Sequence, residues 1–224
     1  TSRREPDQVE VLSGVFEGRT TGTPISLVIY NRDVDISAYD DFKNVFRPGH
    51  ADYTYWHKYG IRERRGGGRA SGRETVARVA AGAVAKKVLD QDRITVVGYT
   101  LALAGIRAQD LDLGEIFNNP LFCPDPEAVP RMMQRLQEIK ENGDSAGGVV
   151  EVRAQGCPVG LGEPVFAKLD SALAGALMGI GAVKGVEIGS GFAAYLAGIN
   201  PRSMTAEALD AATTDYRLLR IRRA

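Results

Sequence analysis

The chain has 224 residues, 44% of them hydrophobic and 25% charged, with 28 basic residues balanced by 28 acidic ones. That is long enough for one large domain or two small ones with a sizeable core, and the even charge balance argues against a protein held on nucleic acid by its overall field. No apolar run approaches a membrane span, and the opening Thr1-Ser2-Arg3-Arg4-Glu5-Pro6 lacks a secretory h-region. A cytoplasmic protein with neither a membrane nor a nucleic-acid partner is expected.

In chain order, the first predicted element is Pro24 to Asn31, PISLVIYN, a β-branched apolar run that reads as a buried strand. The polar stretch from Asn31 to Lys43 reads as a loop. Ser71 to Asp90 is the clearest helix. Ser71 and Glu74 have the S-x-x-E spacing of a capping box, and Val76, Ala80, Val84 and Val88 recur at helical spacing. A strand follows from Arg93 to Ile106. Asp125 is placed to cap a second helix with Pro126 in its first turn, an apolar face of Met132, Met133, Leu136 and Ile139, and a stop at Asn142-Gly143. Gly147 to Gly156 reads as a strand, and Phe166 to Ile180 as a third helix carrying Leu169, Leu173, Leu177 and Ile180. From Tyr195 the composition changes, and the end reads as a short helix and a basic tail. Cys123 and Cys157 lie far apart with no C-x-x-C partner, which predicts two reduced thiols and no zinc or other metal site. Strands and helices alternate without a regular βαβ beat, so the expected fold class is α+β.

The chemistry concentrates between Phe46 and Thr75, FRPGHADYTYWHKYGIRERRGGGRASGRET. Gly66-Gly67-Gly68 leads toward the start of the predicted helix, among Arg64, Arg65, Arg69 and Arg73. Helix N-termini and arginine forks both suit phosphate. A phosphate site and a flexible turn flanked by solvated arginines fit this local sequence equally well. An ATP-binding loop does not fit: Gly67 and Gly72 have the right gap, but Arg73 and Glu74 stand where Lys and Ser/Thr are needed. The stretch also holds both histidines. His50 follows the tight-turn residues Arg47-Pro48-Gly49, and imidazole is the side chain best suited to give a proton near neutrality. His57, among Tyr53, Tyr55, Trp56 and Tyr59, reads as structural.

Read as FRPGHADYTY..KYG.R..RGGGR.S.RET..RVAAGA.AKK, this stretch resembles chorismate synthase, the last enzyme of the shikimate pathway of aromatic amino acid biosynthesis. The resemblance extends upstream to RREPDQVEVLSGVFEGRTTGTPI and downstream to FCPDP, GDSAGG, GLGEPVF and AVKGVEIG, roughly Arg3 to Phe192. It implies a core of central helices sandwiched between antiparallel sheets, in a homotetramer. It implies a lyase that converts 5-enolpyruvylshikimate 3-phosphate to chorismate by 1,4-anti elimination of phosphate with reduced FMN, for which NADPH is a candidate reductant. Residue by residue, His50 matches the histidine that protonates the reduced flavin. Arg47 and Arg73 match arginines that hold the anionic substrate, and Arg69-Ala70-Ser71 match the segment that contacts FMN, with Ala70 where Ser is common.

The family pattern also has an earlier G-E-S-H-G motif with a second histidine and later N-A-G-G, K-P-T and Arg-His-Asp segments, which are not among these 224 residues. The expected organisation is therefore a partial core over residues 1–194 and a divergent segment over 195–224 that reads as a frame shift, with little turnover. The alternative is an inactive fragment that at most binds flavin or phosphate or self-associates.

Overall fold

The structure is a computed structural model that describes residues 4–33 and 35–191, together with the backbone of 215–223. The chain divides into two compact units, Thr1–Ala85 and Lys86–Ala224.

In the first unit, β1 (Val9–Ser13) pairs antiparallel with β4 (Ser26–Ile29), in a register that sets Val9 opposite Ile29 and Val11 opposite Leu27. Between them β2 (Val15–Phe16) and β3 (Arg19–Thr20) form a tight ribbon. Its two turn residues, Glu17 and Gly18, both have positive φ (47° and 74°), as a two-residue hairpin turn of matching twist requires. The segment expected to be a loop contains a 3-10 turn at Ser37–Phe42. Helix α1 (Asp52–Tyr59) ends on Gly60 in the left-handed region, whose N–H returns to the Trp56 carbonyl at 2.8 Å.

Helix α2 (Thr75–Leu89) occupies most of the span predicted for it. Its start differs from a capping box. The Ser71 hydroxyl accepts the Arg73 N–H at 3.2 Å, but Glu74 reaches Arg69 at 2.7 Å instead of turning back to the Ser71 N–H, which bonds the Gly68 carbonyl at 3.0 Å. A nearby guanidinium is a stronger partner for a carboxylate than a peptide N–H. The glycines therefore reach α2 through two 3-10 turns, Gly68–Ala70 and Gly72–Glu74.

The second unit is built on a five-stranded antiparallel sheet. Its strands are β5 (Thr95–Leu103), β6 (Ile106–Arg107), β7 (Gly148–Gln155), β8 (Val183–Ile188) and β9 (Asp215–Arg223), in the order β6-β5-β7-β9-β8. Alternation along β7 separates two faces. Val150, Val152 and Ala154 pack with Val183 and with Leu173 and Leu177 of α4 (Leu169–Met178). Val149 joins Tyr99, Leu101 and Ile116 on the other side. There the Tyr99 hydroxyl donates to Glu151, which also accepts from Arg153 Nε at 3.1 Å, tying β5 to β7. Helix α3 (Ala128–Glu141) is capped as expected: one Asp125 oxygen accepts the N–H groups of Glu127 and Ala128 at 3.0 and 3.1 Å.

Three expectations need correction here. Met133 is 45% exposed, because the inward stripe runs through fully buried Met132 with Leu136 and Ile139. Phe166 precedes α4 and is 91% exposed. The predicted basic tail is strand β9, hydrogen-bonded between β7 and β8, since those two strands would otherwise each present an unpaired edge. The short helix expected before it falls within 192–214, outside the described residues. Among the described residues both cysteines are free and buried. No described helix is long and apolar enough to cross a membrane.

Candidate active site

Within the first unit, β4, the segment after it, the glycine turn and the first turns of α2 enclose a cleft of about 1090 Å³. Its apolar wall comes from Ile25, Leu27 and Ile29 on the strand side and from Val76, Ala77, Ala80 and Ala81 on the helix. Small side chains on α2 leave the room: Ala at three of those four positions keeps the helix close without filling the space. Its polar end carries Arg65, Arg69, Ser71 and Arg73, with Asp33, Asp35 and Glu74. Arg69, Ser71 and Arg73 are thus brought together on one cleft. Ala70, Arg47 and His50 do not line it.

The glycine turn owes its shape to backbone conformations that only glycine adopts freely: φ is 97° at Gly66, 90° at Gly67 and 51° at Gly68. At Gly67 a side chain would also be crowded, since a Cβ there would lie 3.2 Å from an Arg47 guanidinium nitrogen. Several of the N–H groups that a phosphate cradle would use are spent locally. Ala70 N–H bonds Gly67 O at 2.9 Å, Ser71 N–H bonds Gly68 O, and Glu74 N–H bonds Ser71 O at 3.2 Å. Anion binding at this cleft therefore falls chiefly to the guanidinium groups rather than to the backbone.

Each cleft arginine already has a carboxylate partner. Arg65 forks onto Glu63 with two contacts of 3.0 Å, which holds Glu63 down to about 2, chiefly through the Arg65 side-chain hydrogen bond. Arg69 pairs with Glu74, and the two side chains are 84% and 44% exposed. Arg73, mostly buried, reaches Glu5 at 3.2 Å and Asp7. Exposed pairs are worth about 0–1 kcal/mol, so Arg69 can be turned onto a ligand at little cost. Releasing Arg73 costs more, because Glu5 is itself only 4% exposed. These acidic partners were not anticipated from sequence; Glu5 and Asp7 lie more than sixty residues before Arg73, and only the Glu-x-Asp spacing near the start hinted at paired acids.

Arg47 lies beside the cleft in a separate, tightly bonded cluster, and its carbonyl accepts the His50 N–H. Asp52, the first residue of α1, is 3% exposed and grips Arg47 with a fork: Nε to Oδ2 and a terminal nitrogen to Oδ1, both 2.9 Å. Arg62 adds a contact of 3.1 Å to the same carboxylate. The Asp52 carboxyl is held down to about 2, first by the Arg47 side-chain hydrogen bonds. The Arg47 guanidinium sits 5.7 Å over the Tyr39 ring and against Gly67, between two glycines that do line the cleft. A large share of its donor capacity is thus committed within the protein, which differs from a freely available substrate arginine. His50 is exposed, and its Nδ1 lies 2.9 Å from the Pro48 carbonyl. A carbonyl only accepts, so Nδ1 carries a proton and Nε2 is the nitrogen left to exchange one with a ligand. His57, also exposed, packs against Tyr53 with ring centres 4.3 Å apart and the ring planes tilted by 56°. Among the described residues no group of His, Cys, Asp and Glu could hold a metal ion.

Residues 1–206 match the family model described as chorismate synthase, past the point near Tyr195 where the motif resemblance ends. The chain is 62% identical to chorismate synthase of Syntrophobacter fumaroxidans over 192 residues, covering 86% of this chain and 55% of that protein. It is 61% identical to that of Syntrophus aciditrophicus over 196 residues, with the same two coverages of 86% and 55%. The Methanosarcina mazei protein of the same name is 56% identical, covering 87% and 54%. The chain spans about half the length of these curated relatives. It superposes on a crystal structure of chorismate synthase with a TM-score of 0.75 at 29% identity, over 96% of this chain and 70% of that one. Sequence, α+β fold and the arginine-lined glycine turn agree: this chain belongs to the chorismate synthase family.

Proposed function

We propose that this chain carries the flavin- and phosphate-binding side of a chorismate synthase site, acting in the elimination of phosphate from 5-enolpyruvylshikimate 3-phosphate to give chorismate. The observation that carries this reading is the cleft itself, lined by Arg65, Arg69, Ser71 and Arg73 among the carboxylates Asp33, Asp35 and Glu74, and by apolar side chains of β4 and α2. Its volume is slightly above the usual range for small-molecule sites, roughly 300–1000 Å³. A flat apolar ring system on a phosphate tail matches that division, so the residues present fit FMN. Arg69 and Ser71 would hold its phosphate, and the β4 and α2 side chains would face its ring. Reduced FMN, when bound, supplies the electron density needed as the substrate's phosphate leaves. Arg73 would then serve the second anion, the substrate, exchanging Asp7 for it while keeping Glu5. His50, through Nε2, would handle the proton at the cleft's edge.

Binding tests this reading without turnover. Titration of FMN, followed by flavin absorbance, is expected to show saturable binding that weakens about tenfold or more in Arg69→Ala, the scale of a lost charge-assisted hydrogen bond. Equal affinity in the parent chain and in an Arg69→Ala/Arg73→Ala double variant would exclude the cleft as the flavin site.

The homotetramer belongs to the same reading. It is supported by apolar side chains left open on the first unit, among them Leu12 at 60%, Phe16 at 69% and Val79 at 72% exposure. Sedimentation velocity is expected to show association of the purified chain at micromolar concentration. A monomer throughout that range would remove this support.

A further inference from the structure

We propose that Asp52 is a positioning residue that sets the tautomer and placement of His50 by clamping the turn that carries it; the proposal rests on the reading of His50 as the proton carrier. Asp52 follows His50 by two residues but does not touch its ring. It acts through Arg47. The Asp52 carboxylate takes the Arg47 backbone N–H at 3.2 Å as well as the two side-chain contacts, so residue 47 is held by main chain and side chain together. The Arg47 carbonyl then accepts the His50 N–H at 3.3 Å, closing the turn, and the Pro48 carbonyl inside that turn accepts from His50 Nδ1. Arg62, arriving from beyond α1, locks the other side. One of its terminal nitrogens binds Asp52, and the other takes the carbonyls of Phe42, Lys43 and Val45 at 2.6, 3.0 and 2.9 Å. The segment before the turn and the helix after it are therefore stapled to one buried carboxylate.

The consequence is chemical. An exposed imidazole in water favours the tautomer with the proton on Nε2. The Pro48 carbonyl selects the opposite one, which leaves Nε2 free to accept and return a proton. That selection lasts only while the Pro48 carbonyl stays where the Asp52 clamp puts it.

The chain has only two histidines, so ring nitrogen NMR on a histidine-labelled sample resolves both, with His57 as the internal control. Above pH 8, where model imidazoles are neutral, His50 is expected to be protonated on Nδ1 in the parent chain. In Asp52→Asn it should revert mainly to the Nε2-protonated form, with the His57 pattern unchanged. Arg47→Lys leaves the Asp52–Arg62 pair in place and removes only the fork; it should produce the same reversion and serves where Asp52→Asn does not fold. Native Trp56 fluorescence in a variant whose His50 spectrum equals that of the parent overturns the proposal. The tautomer readout does not involve turnover. If His50 proves dispensable for catalysis while the tautomer shifts as described, the clamp stands and the catalytic reading alone fails.

Discussion

In a full-length family member whose sequence carries the FRPGH motif, replacing the histidine of that motif by alanine is expected to lower kcat by about 10²–10⁴-fold, the usual contribution of a positioned general acid–base. Flavin affinity should change by less than about threefold, since a group outside the binding contacts contributes little uniform binding. The separation follows from the geometry. His50 does not line the cleft, whereas Arg69, Ser71 and Arg73 do. Among the described residues its exposed ring is tethered through Nδ1, with Nε2 open to exchange a proton. Glutamine at this position preserves bulk and a hydrogen bond but cannot carry a proton at neutral pH, so it should be as slow as alanine. Stopped-flow measurement of chorismate formation with reduced FMN under anaerobic conditions reads kcat. Flavin titration reads binding. A loss of kcat below tenfold, or a flavin affinity that falls in step with kcat, would reassign His50 to a structural place in the turn.

Much of the fold was readable because its signals are local. The β-branched run of β4, the small-residue periodicity of α2 and the Asp125 cap of α3 each sit within a dozen residues of sequence. Helix α1 escaped notice because Tyr53, Tyr55, Trp56 and Tyr59 give it no clear apolar stripe, and Ala51 is no cap signal. Strand β1 did carry a signal, the alternation of Val9, Glu10 and Val11. Strand β9 did not, because its pairing depends on β7 and β8, which come from elsewhere in the chain.

The same division runs through the site. The glycine turn and its arginines stand side by side in sequence. Their carboxylate partners do not: Arg73 is answered by Glu5 and Asp7, a contact that exists only once the N-terminal segment lies against the start of α2. The Arg47 fork on Asp52 depends likewise on α1 forming, so the pair is near in sequence yet invisible to motif reading. Resemblance named Arg47 as a substrate residue; the geometry adds that the same guanidinium holds the turn of His50.

Asp52→Ala is expected to destabilise the first unit by about 3–5 kcal/mol, the scale for removing one partner from a buried ion pair. Arg47 and Arg62, 13% and 8% exposed, would both be left without their shared counter-charge. Asparagine should recover a part of this, since its oxygen still accepts one guanidinium, but it restores no charge. Acid acts on the same group. The folded carboxyl is held at about 2 against an ordinary 3.8, so its contribution, roughly 2 kcal/mol, is complete above the ordinary value. It is lost progressively as pH falls from there through about 2. Trp56, the chain's single tryptophan, lies on α1 four residues beyond Asp52 and reports this unit directly. Urea titrations of Trp56 fluorescence at pH 7 and pH 3 should show the parent chain losing stability in acid. Asp52→Asn should lose correspondingly less over the same interval, because it has no carboxyl to protonate. An Asp52→Asn profile parallel to that of the parent would place the acid-sensitive group elsewhere and remove Asp52 as the anchor of the turn.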